Sequence, residues 1–262
     1  MVANELDKRY EVRSVSRAVE ILECLTEPGD GLTVTEIARR VGGAKSAAFS
    51  TLQTLAAHGF VASQGEGALR RYRLGLALAR LGEHAITQVS LRDVAMPVLQ
   101  ELTAETGLSS RVAVPEDGFA VIVGRADPPG AVRFDLHMGH REPPHCTGLG
   151  KAMLASLGEE RAREIIEANG LPARTPRTIV DPAALLADLA EVRRRGYSVD
   201  DEEDAEGIFC VGAVINDHRG ECAGAISVTG LKLDLPVWRI HQIGETVRGH
   251  ATRITRLLGG RR

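Results

Sequence analysis

The segment that decides the fold is LTVTEIARRVGGAKSAAFSTLQTLAAHG, residues 32–59. Thr33 followed three residues later by Glu36 is a capping box, which predicts a helix over residues 34–41. Two glycines end that helix, and a tight turn leads to a second predicted helix over residues 45–58. Two short helices joined by a glycine turn are typical of a helix-turn-helix.

The second helix of this pair has two different faces. The apolar face is expected to pack against the preceding helices and consists of Ala48, Phe49, Leu52, Leu55 and Ala56. The opposite face, called the outer face below, consists of Ser46, Ala47, Ser50, Gln53 and Thr54. Small polar side chains can enter a major groove and offer hydroxyl and amide groups to base edges. The outer face is therefore predicted to read DNA.

The flanking segments complete a module with a local positive charge. A helix is predicted over residues 14–26, where Ser16 and Arg17 are candidates for contacts with phosphate. Two short strands around the polar loop 63–68 predict a β-wing that holds phosphates. Residues 39–75 contain one acid, Glu66, and six basic residues, which give a local charge of +5: Arg39, Arg40, Lys45, Arg70, Arg71 and Arg73. Because the whole chain carries a net charge of −3, this asymmetry indicates a polyanionic partner.

The composition excludes several classes of protein. The 262 residues are 44% hydrophobic and 26% charged, which fits one large or two modest globular domains. Aromatic residues make up only 3%, so a base-stacking surface for single strands is not expected. The sequence has neither a run of about 18 apolar residues nor an apolar stretch near its start. Its four cysteines form no CxxC pair, and we expect a cytoplasmic protein without a metal or a cofactor.

The rest of the chain predicts an α+β domain with a largely antiparallel sheet. Helices are predicted at residues 76–86, 91–106, 150–157, 159–168, 182–195 and 236–258, and strands at 111–115, 119–125, 131–135, 197–201, 208–216 and 222–229. One loop has a chemical signature, since Thr147-Gly148-Leu149-Gly150 comes just before a predicted helix. A glycine there lets a ligand approach the unpaired amides of the helix start, where a carboxylate is favoured.

Five motifs in order resemble the IclR family of bacterial transcriptional regulators over residues 13–258. They are SVSRAVEIL (14–22), LTVTEIA (32–38), YRLG (72–75), HCTGLGKA (145–152) and GYSVDDEE (196–203). The resemblance implies a winged helix-turn-helix, a linker helix and a GAF-like domain that binds a small organic effector. It also implies dimers, or dimers of dimers, on a palindromic operator. Most members carry an arginine where Ser50 stands in this chain.

The resemblance also assigns domains and a pocket. It implies an N-terminal arm (residues 1–12), a DNA-binding domain (13–75), a linker helix (76–90) and an effector domain (91–262). In the effector domain, the loop at Gly148 and Leu149 is expected to line the pocket. The other implied lining positions are the polar Asp200, Cys210, Ser227 and Thr229 and the apolar Phe134 and Ile208. Ser227 and Thr229 point to one sheet face because they alternate along a strand.

These patterns predict a regulator whose affinity for double-stranded operator DNA depends on a small, carboxylate-bearing metabolite. The expected assembly is a homo-oligomer, and no membrane partner is expected. Two alternatives stay open at this point. One is a regulator that senses oxidants through Cys146, Cys210 or Cys222. The other is a small hydrolase with Cys210 or Ser227 as nucleophile and His145 or Asp200 as base.

Overall fold

The computed structural model describes residues 10–27, 29–87, 90–129, 137–232 and 235–260. The chain divides into two compact units, Met1–Gln88 and Val89–Arg262. The division falls inside the predicted linker segment, residues 76–90. The other predicted domain boundaries, at residues 12/13, 75/76 and 90/91, remain predictions. Among the helices in the described ranges, none is both long and apolar enough to cross a bilayer.

Three helices form the core of the N-terminal unit, and a fourth follows the wing. They are α1 (Arg13–Cys24), α2 (Val34–Arg40), α3 (Lys45–Ala57) and α4 (Ala77–Thr87). The buried core contains Ile21, Leu25, Ile37, Ala38, Ala48, Leu52, Leu55, Val61 and Tyr72. The predicted capping box is confirmed: Thr33 Oγ1 accepts from the Glu36 amide at 3.3 Å, and Glu36 Oε2 accepts from the Thr33 amide at 2.7 Å.

The wing is a three-stranded antiparallel sheet. Its strands are β1 (Leu32–Thr33), β2 (Val61–Gln64) and β3 (Arg71–Leu74), in the order β1-β3-β2. The sequence predicted two wing strands but not β1. A strand of two residues is too short to show an alternating pattern, and its second residue also caps α2.

The C-terminal unit contains a six-stranded sheet in the order β6-β5-β4-β9-β8-β7, in which all neighbours are antiparallel. The strands are β4 (Ser109–Glu116), β5 (Phe119–Ala126), β6 (Arg141–Glu142), β7 (Ser198–Asp201), β8 (Ile208–Asn216) and β9 (Cys222–Leu231). The helices are α5 (Leu91–Thr106), α6 (Gly148–Ser156), α7 (Glu159–Asn169), α8 (Pro182–Arg195) and α9 (Val237–Leu257). The predicted α+β class with an antiparallel sheet is confirmed. The predicted strand at 131–135 lies outside the described residues.

Alternation along the strands gives the sheet two different faces. On β8, Phe209, Val211 and Ala213 belong to the large apolar core formed with α5 and α9. Cys210 and Gly212 point to the opposite face, which α6 covers. The α6 face is where the polar side chains of the sheet collect, and it positions the predicted effector site.

Candidate functional site

The outer face of α3 lies on the surface of the N-terminal unit. Ser46, Ser50, Gln53 and Thr54 are exposed, and Ala47 is half-buried. The structure contradicts one prediction about this helix, because Phe49 is 44% exposed and is not part of the core. The buried residues Ala48, Leu52 and Leu55 point in a different direction from Phe49. At about 100° per residue, Phe49 falls at the edge of the outer face.

Basic side chains surround the start of α3. Lys45 is exposed as the first residue of the helix. Arg17 on α1 lies beside the α2–α3 turn, since its Nε is 3.9 Å from where a Cβ on Gly43 would stand. Ser16 is half-buried, and its amide donates to the Val12 carbonyl at 3.1 Å. A phosphate contact at Ser16 would therefore have to use its hydroxyl instead of its amide.

The wing arginines differ in their surroundings. Tyr72 is buried in the core, so Arg71 and Arg73, which flank it on β3, both point away from the core. Arg71 also supports the fold, because its Nη1 donates to the Gly31 carbonyl at 2.7 Å. Arg70 lies at the wing tip, where its Nε donates to the Gly65 carbonyl at 3.3 Å.

Four strands of the C-terminal unit bring one polar residue each to a single row on the α6 face. In register, Ser109 of β4 faces Thr229 of β9, Thr229 faces Cys210 of β8, and Cys210 faces Asp200 of β7. This set is called the polar row below. Ser109, Thr229 and Asp200 are buried, whereas Cys210 is half-buried. A row of this kind can bind a small ligand that carries oxygen atoms.

The polar row contains a hydroxyl that lacks a hydrogen-bond partner. Ser109 Oγ is buried and has no partner among the described residues. In contrast, Cys210 Sγ and Thr229 Oγ1 are 3.2 Å apart and form a hydrogen bond. Buried polar groups in folded proteins are nearly always hydrogen-bonded. A buried hydroxyl without a partner among the described residues is therefore a candidate for a hydrogen bond to a bound molecule.

A second row lies beside the polar row and carries a buried ion pair. Arg111 of β4 faces Ser227 of β9 in register, and Ser227 faces Gly212 of β8. Arg111 Nη1 donates to Glu142 Oε1 at 3.0 Å, and both side chains are buried. Burial raises the pKa of the Glu142 carboxyl, and the positive charge of Arg111 opposes that rise. The charges of Arg111 and Glu142 both act on the Cys210 thiol, so the pair adjoins the polar row.

The start of α6 is built differently from the sequence-based expectation. The helix begins at Gly148, two residues before the predicted start, and Thr147 caps it by accepting from the Gly150 amide at 3.0 Å. A Cβ on Gly148 would stand 3.1 Å from the Cys210 Cβ and 3.2 Å from the Gly212 amide nitrogen. Glycine at 148 therefore lets the helix pack directly against β8, and the Gly150 amide is not available to an anion.

The remaining predicted pocket residues are distributed as follows. Leu149 is fully buried in a small apolar cluster between α6 and the sheet. Ile208 at the start of β8 is half-buried, and Ser227 is buried. Phe134 lies outside the described residues. The roles assigned to these positions remain predictions.

Asp200 is the acidic end of the polar row. Its Oδ1 accepts from the amides of Glu203 and Asp204 at 2.7 and 3.3 Å. Burial raises the pKa of the Asp200 carboxyl to about 7, despite these hydrogen bonds. Asp200 and Glu203 are both buried although they belong to an acidic stretch, residues 200–204. A carboxyl group with this pKa is about half neutral at pH 7 and can donate a hydrogen bond.

Glu203 belongs to a buried charge cluster with Lys151. Lys151 Nζ lies 2.5 Å from Glu203 Oε1 and 2.9 Å from Asp188 Oδ2, and the lysine side chain is 1% exposed. Burial raises the pKa of the Glu203 carboxyl, and the lysine opposes that shift. These contacts tie α6, α8 and the loop after β7 together behind Asp200.

The three candidate thiols lie in surroundings that favour the neutral form. Burial raises the pKa values of Cys146, Cys210 and Cys222. Reactive thiols need a lowered pKa, because the thiolate is the nucleophile. His145 is engaged elsewhere, with its Nε2 3.1 Å from the Pro172 carbonyl oxygen. Within the described ranges, no three His, Cys, Asp or Glu side chains are arranged to hold a metal ion.

A separate open cavity of about 370 Å³ lies at the other end of α6, with Ala155, Val192 and Tyr197 in its wall. Two of its polar side chains are already bonded within the protein. Ser156 Oγ donates to the Met153 carbonyl at 2.6 Å, and Arg193 Nη1 donates to the Ala155 carbonyl at 3.3 Å. The unsatisfied hydroxyl of Ser109 therefore favours the polar row over this cavity as the ligand site.

Comparison with known proteins agrees with the two-unit organisation. A model described as "IclR helix-turn-helix domain" matches residues 14–65. A model described as "Bacterial transcriptional regulator IclR C-terminal" matches residues 83–256, more than half of the chain. The chain belongs to the IclR family. It is therefore a member of a family of transcriptional regulators with a helix-turn-helix DNA-binding domain and a C-terminal effector domain.

The matches to individual proteins of the family span nearly the whole chain. The transcriptional repressor IclR of Escherichia coli is 33% identical over 254 residues, which cover 96% of this chain and 92% of that protein. The solved structure of the Agobacterium tumefaciens repressor BlcR has a TM-score of 0.82 and 26% identity, covering 96% of this chain and 99% of that one. These relatives are transcriptional regulators and not enzymes.

A third comparison concerns the effector domain alone. The inducer-binding domain of the Acinetobacter transcription factor PobR, solved as a double mutant with 3-hydroxybenzoic acid, has a TM-score of 0.58 and 28% identity. It covers 64% of this chain and 99% of that one. The C-terminal unit of this chain therefore shares its fold with a domain that was solved with an aromatic acid.

Sequence reasoning missed several residues of the site. Ser109 and Arg111 lie at i and i+2 of β4 and therefore on one sheet face. The predicted strand began at residue 111, two residues late, and the polar Ser110 between them leaves no alternating pattern in the sequence. The partners of Arg111 and Lys151 are 31 and 52 residues away along the chain. No local pattern indicates pairs of that kind.

Proposed function

We propose that this chain is a transcriptional regulator whose affinity for operator DNA is changed by a small carboxylate bound at the polar row of the C-terminal unit. The observation that carries the proposal is the row of Ser109, Thr229, Cys210 and Asp200, which is buried except for the half-buried Cys210 and ends in a hydroxyl without a partner among the described residues. The outer face of α3, Lys45 and the wing arginines supply the DNA-binding surface.

A carboxylate is favoured over a neutral ligand for two reasons. Asp200, with a pKa of about 7, is partly neutral at physiological pH and can donate a hydrogen bond to an anion. The guanidinium of Arg111 adjoins the polar row, and a guanidinium recognises carboxylates through paired N–H groups. The PobR domain, a structural relative, was solved with 3-hydroxybenzoic acid.

A thermal-shift screen of the full chain tests the ligand class. Small carboxylates, including 3-hydroxybenzoate, are each compared with the matching carboxamide, since a bound ligand raises the melting temperature by mass action. At least one carboxylate is expected to stabilise the protein, and its carboxamide is not. Equal shifts for acids and amides, or no shift for any acid, would contradict the proposed ligand class.

Mobility shift with the promoter fragment upstream of the chain's own gene tests DNA binding. We expect a retarded complex whose affinity falls steeply with salt, because basic side chains release counterions from the phosphates. A fragment of equal length from a coding region is the control. A chain that shows no preference for the promoter fragment, with or without the stabilising acid, would refute the proposed function.

A further inference from the structure

Phe49 is an aromatic side chain that the packing of the N-terminal unit leaves on the surface. It is 44% exposed, whereas Ala48 and Leu52 of the same helix are fully buried. Side chains three and four residues apart are neighbours on a helix, so Phe49 lies next to Ser46 and Gln53. The ring therefore belongs to the surface that the proposed function assigns to the major groove.

Two of the three hydroxyl groups of the outer face, those of Ser50 and Thr54, are turned towards their own helix. Ser50 Oγ donates to the Ser46 carbonyl and Thr54 Oγ1 donates to the Ser50 carbonyl, each at 3.1 Å. In these rotamers the hydroxyl hydrogens are not offered to a base. The ring of Phe49 and the amide of Gln53 extend further from the backbone and carry different chemistry, one apolar and one able to donate and accept.

We propose that Phe49 reads thymine methyl groups in the major groove, while Gln53 one turn later pairs with adenine. Thymine offers a 5-methyl group in that groove, and apolar side chains such as phenylalanine contact it. Glutamine forms two hydrogen bonds with adenine N6 and N7. Each operator half-site then contains A·T pairs beneath the second and third turns of α3, which carry Phe49 and Gln53. This inference rests on the proposed function and specifies the DNA that it requires.

The test removes the methyl group from the DNA and the ring from the protein. The full chain selects a duplex from a randomised library, and each thymine of that duplex is replaced in turn by deoxyuridine, which lacks only the methyl. At the contacted thymines the wild-type chain is expected to lose affinity about fourfold, the value for one buried methyl group. In Phe49→Ala the same replacement changes affinity by less than about 1.5-fold, because the partner of the methyl is gone.

Leu81→Ala is the matched control, because Leu81 is 45% exposed in the same unit, on α4. It is expected to keep the full dependence on the methyl group. Melting temperatures of both variants show whether the fold is retained. The inference is overturned if deoxyuridine has no effect on the wild-type chain or costs Phe49→Ala as much as wild type. A chain that selects no duplex at all refutes the proposed function and this inference with it, so the two failures are distinguishable.

Discussion

Asp200 illustrates how burial changes the chemistry of a single side chain. The carboxyl group accepts two backbone hydrogen bonds, which favour its charged form. Burial has the larger effect and raises its pKa to about 7. Below pH 7 the neutral form predominates and can donate to a ligand. Above pH 7 the group is an anion and repels a carboxylate.

The affinity for a carboxylate effector should therefore fall as pH rises. Between pH 6 and pH 8, Asp200 goes from mostly neutral to mostly charged, and we expect the dissociation constant to rise about tenfold. Asp200→Asn removes this dependence, and Asp201→Asn, an acid on the same strand that pairs with Arg177, keeps it. Titration calorimetry at both pH values measures the effect. An unchanged pH dependence in Asp200→Asn would assign the proton to Glu203 or Glu142, whose pKa values are also raised.

Lys151 should be essential for stability because it is buried between two carboxylates. Lys151→Met removes the cation, which leaves Glu203 without its charge partner and Asp188 with only the 3.8 Å contact to Arg195. We expect the free energy of unfolding to fall by about 3–5 kcal/mol. The exposed ion pair of Arg161 with Glu164 is the control, and Arg161→Met should cost at most about 1 kcal/mol. Equal losses in urea denaturation of the two variants would contradict a structural role for the buried cluster.

At the scale of secondary structure elements, α5 and α8 have the predicted bounds at both ends, and the start of α2 was predicted correctly because local chemistry fixes it. The Thr33–Glu36 capping box is visible in the sequence and is present in the structure. The exposure of Phe49 was missed because an apolar residue at the edge of a helix face belongs equally well to either side by pattern alone. β1 and β6 were missed because strands of two residues have no periodicity.

The capping box should make a measurable contribution to the N-terminal unit. Thr33→Ala removes the hydroxyl that accepts from the Glu36 amide. We expect a loss of about 1 kcal/mol in the free energy of unfolding, as is typical of N-cap removal. Ser63→Ala, at an exposed position of β2, should change it by less than about 0.5 kcal/mol. A cost for Thr33→Ala no larger than that of Ser63→Ala would contradict the capping role.

The wing makes a prediction that separates binding from folding. Arg73→Ala should weaken operator binding and reduce the slope of log affinity against log salt by about one, the effect of one lost phosphate contact. Its melting temperature should stay at the wild-type value, because Arg73 points away from the core. Arg71→Ala should also lower the melting temperature, since Arg71 holds the Gly31 carbonyl. An Arg73→Ala variant with unchanged affinity and salt slope would exclude the wing from the DNA interface.

For the whole molecule, the order of the motifs in the sequence indicates the family and the antiparallel α+β class. The residues that meet at the polar row could only partly be predicted, because register decides which side chains share a row. Ser109 and Asp200 lie in one row although two strands, β9 and β8, separate them. The Arg111–Glu142 and Lys151–Glu203 pairs join distant segments, and their partners follow from tertiary packing alone.

Two binding sites on one chain make a regulator only if one ligand changes the affinity of the other. The most direct measurement is the operator dissociation constant of the full chain, by fluorescence anisotropy, with and without a saturating carboxylate from the thermal-shift screen. We predict a change of about fivefold or more in the wild-type chain, and a smaller one in Thr229→Val at the same ligand concentration. An operator affinity that is identical with and without the bound acid would contradict the account.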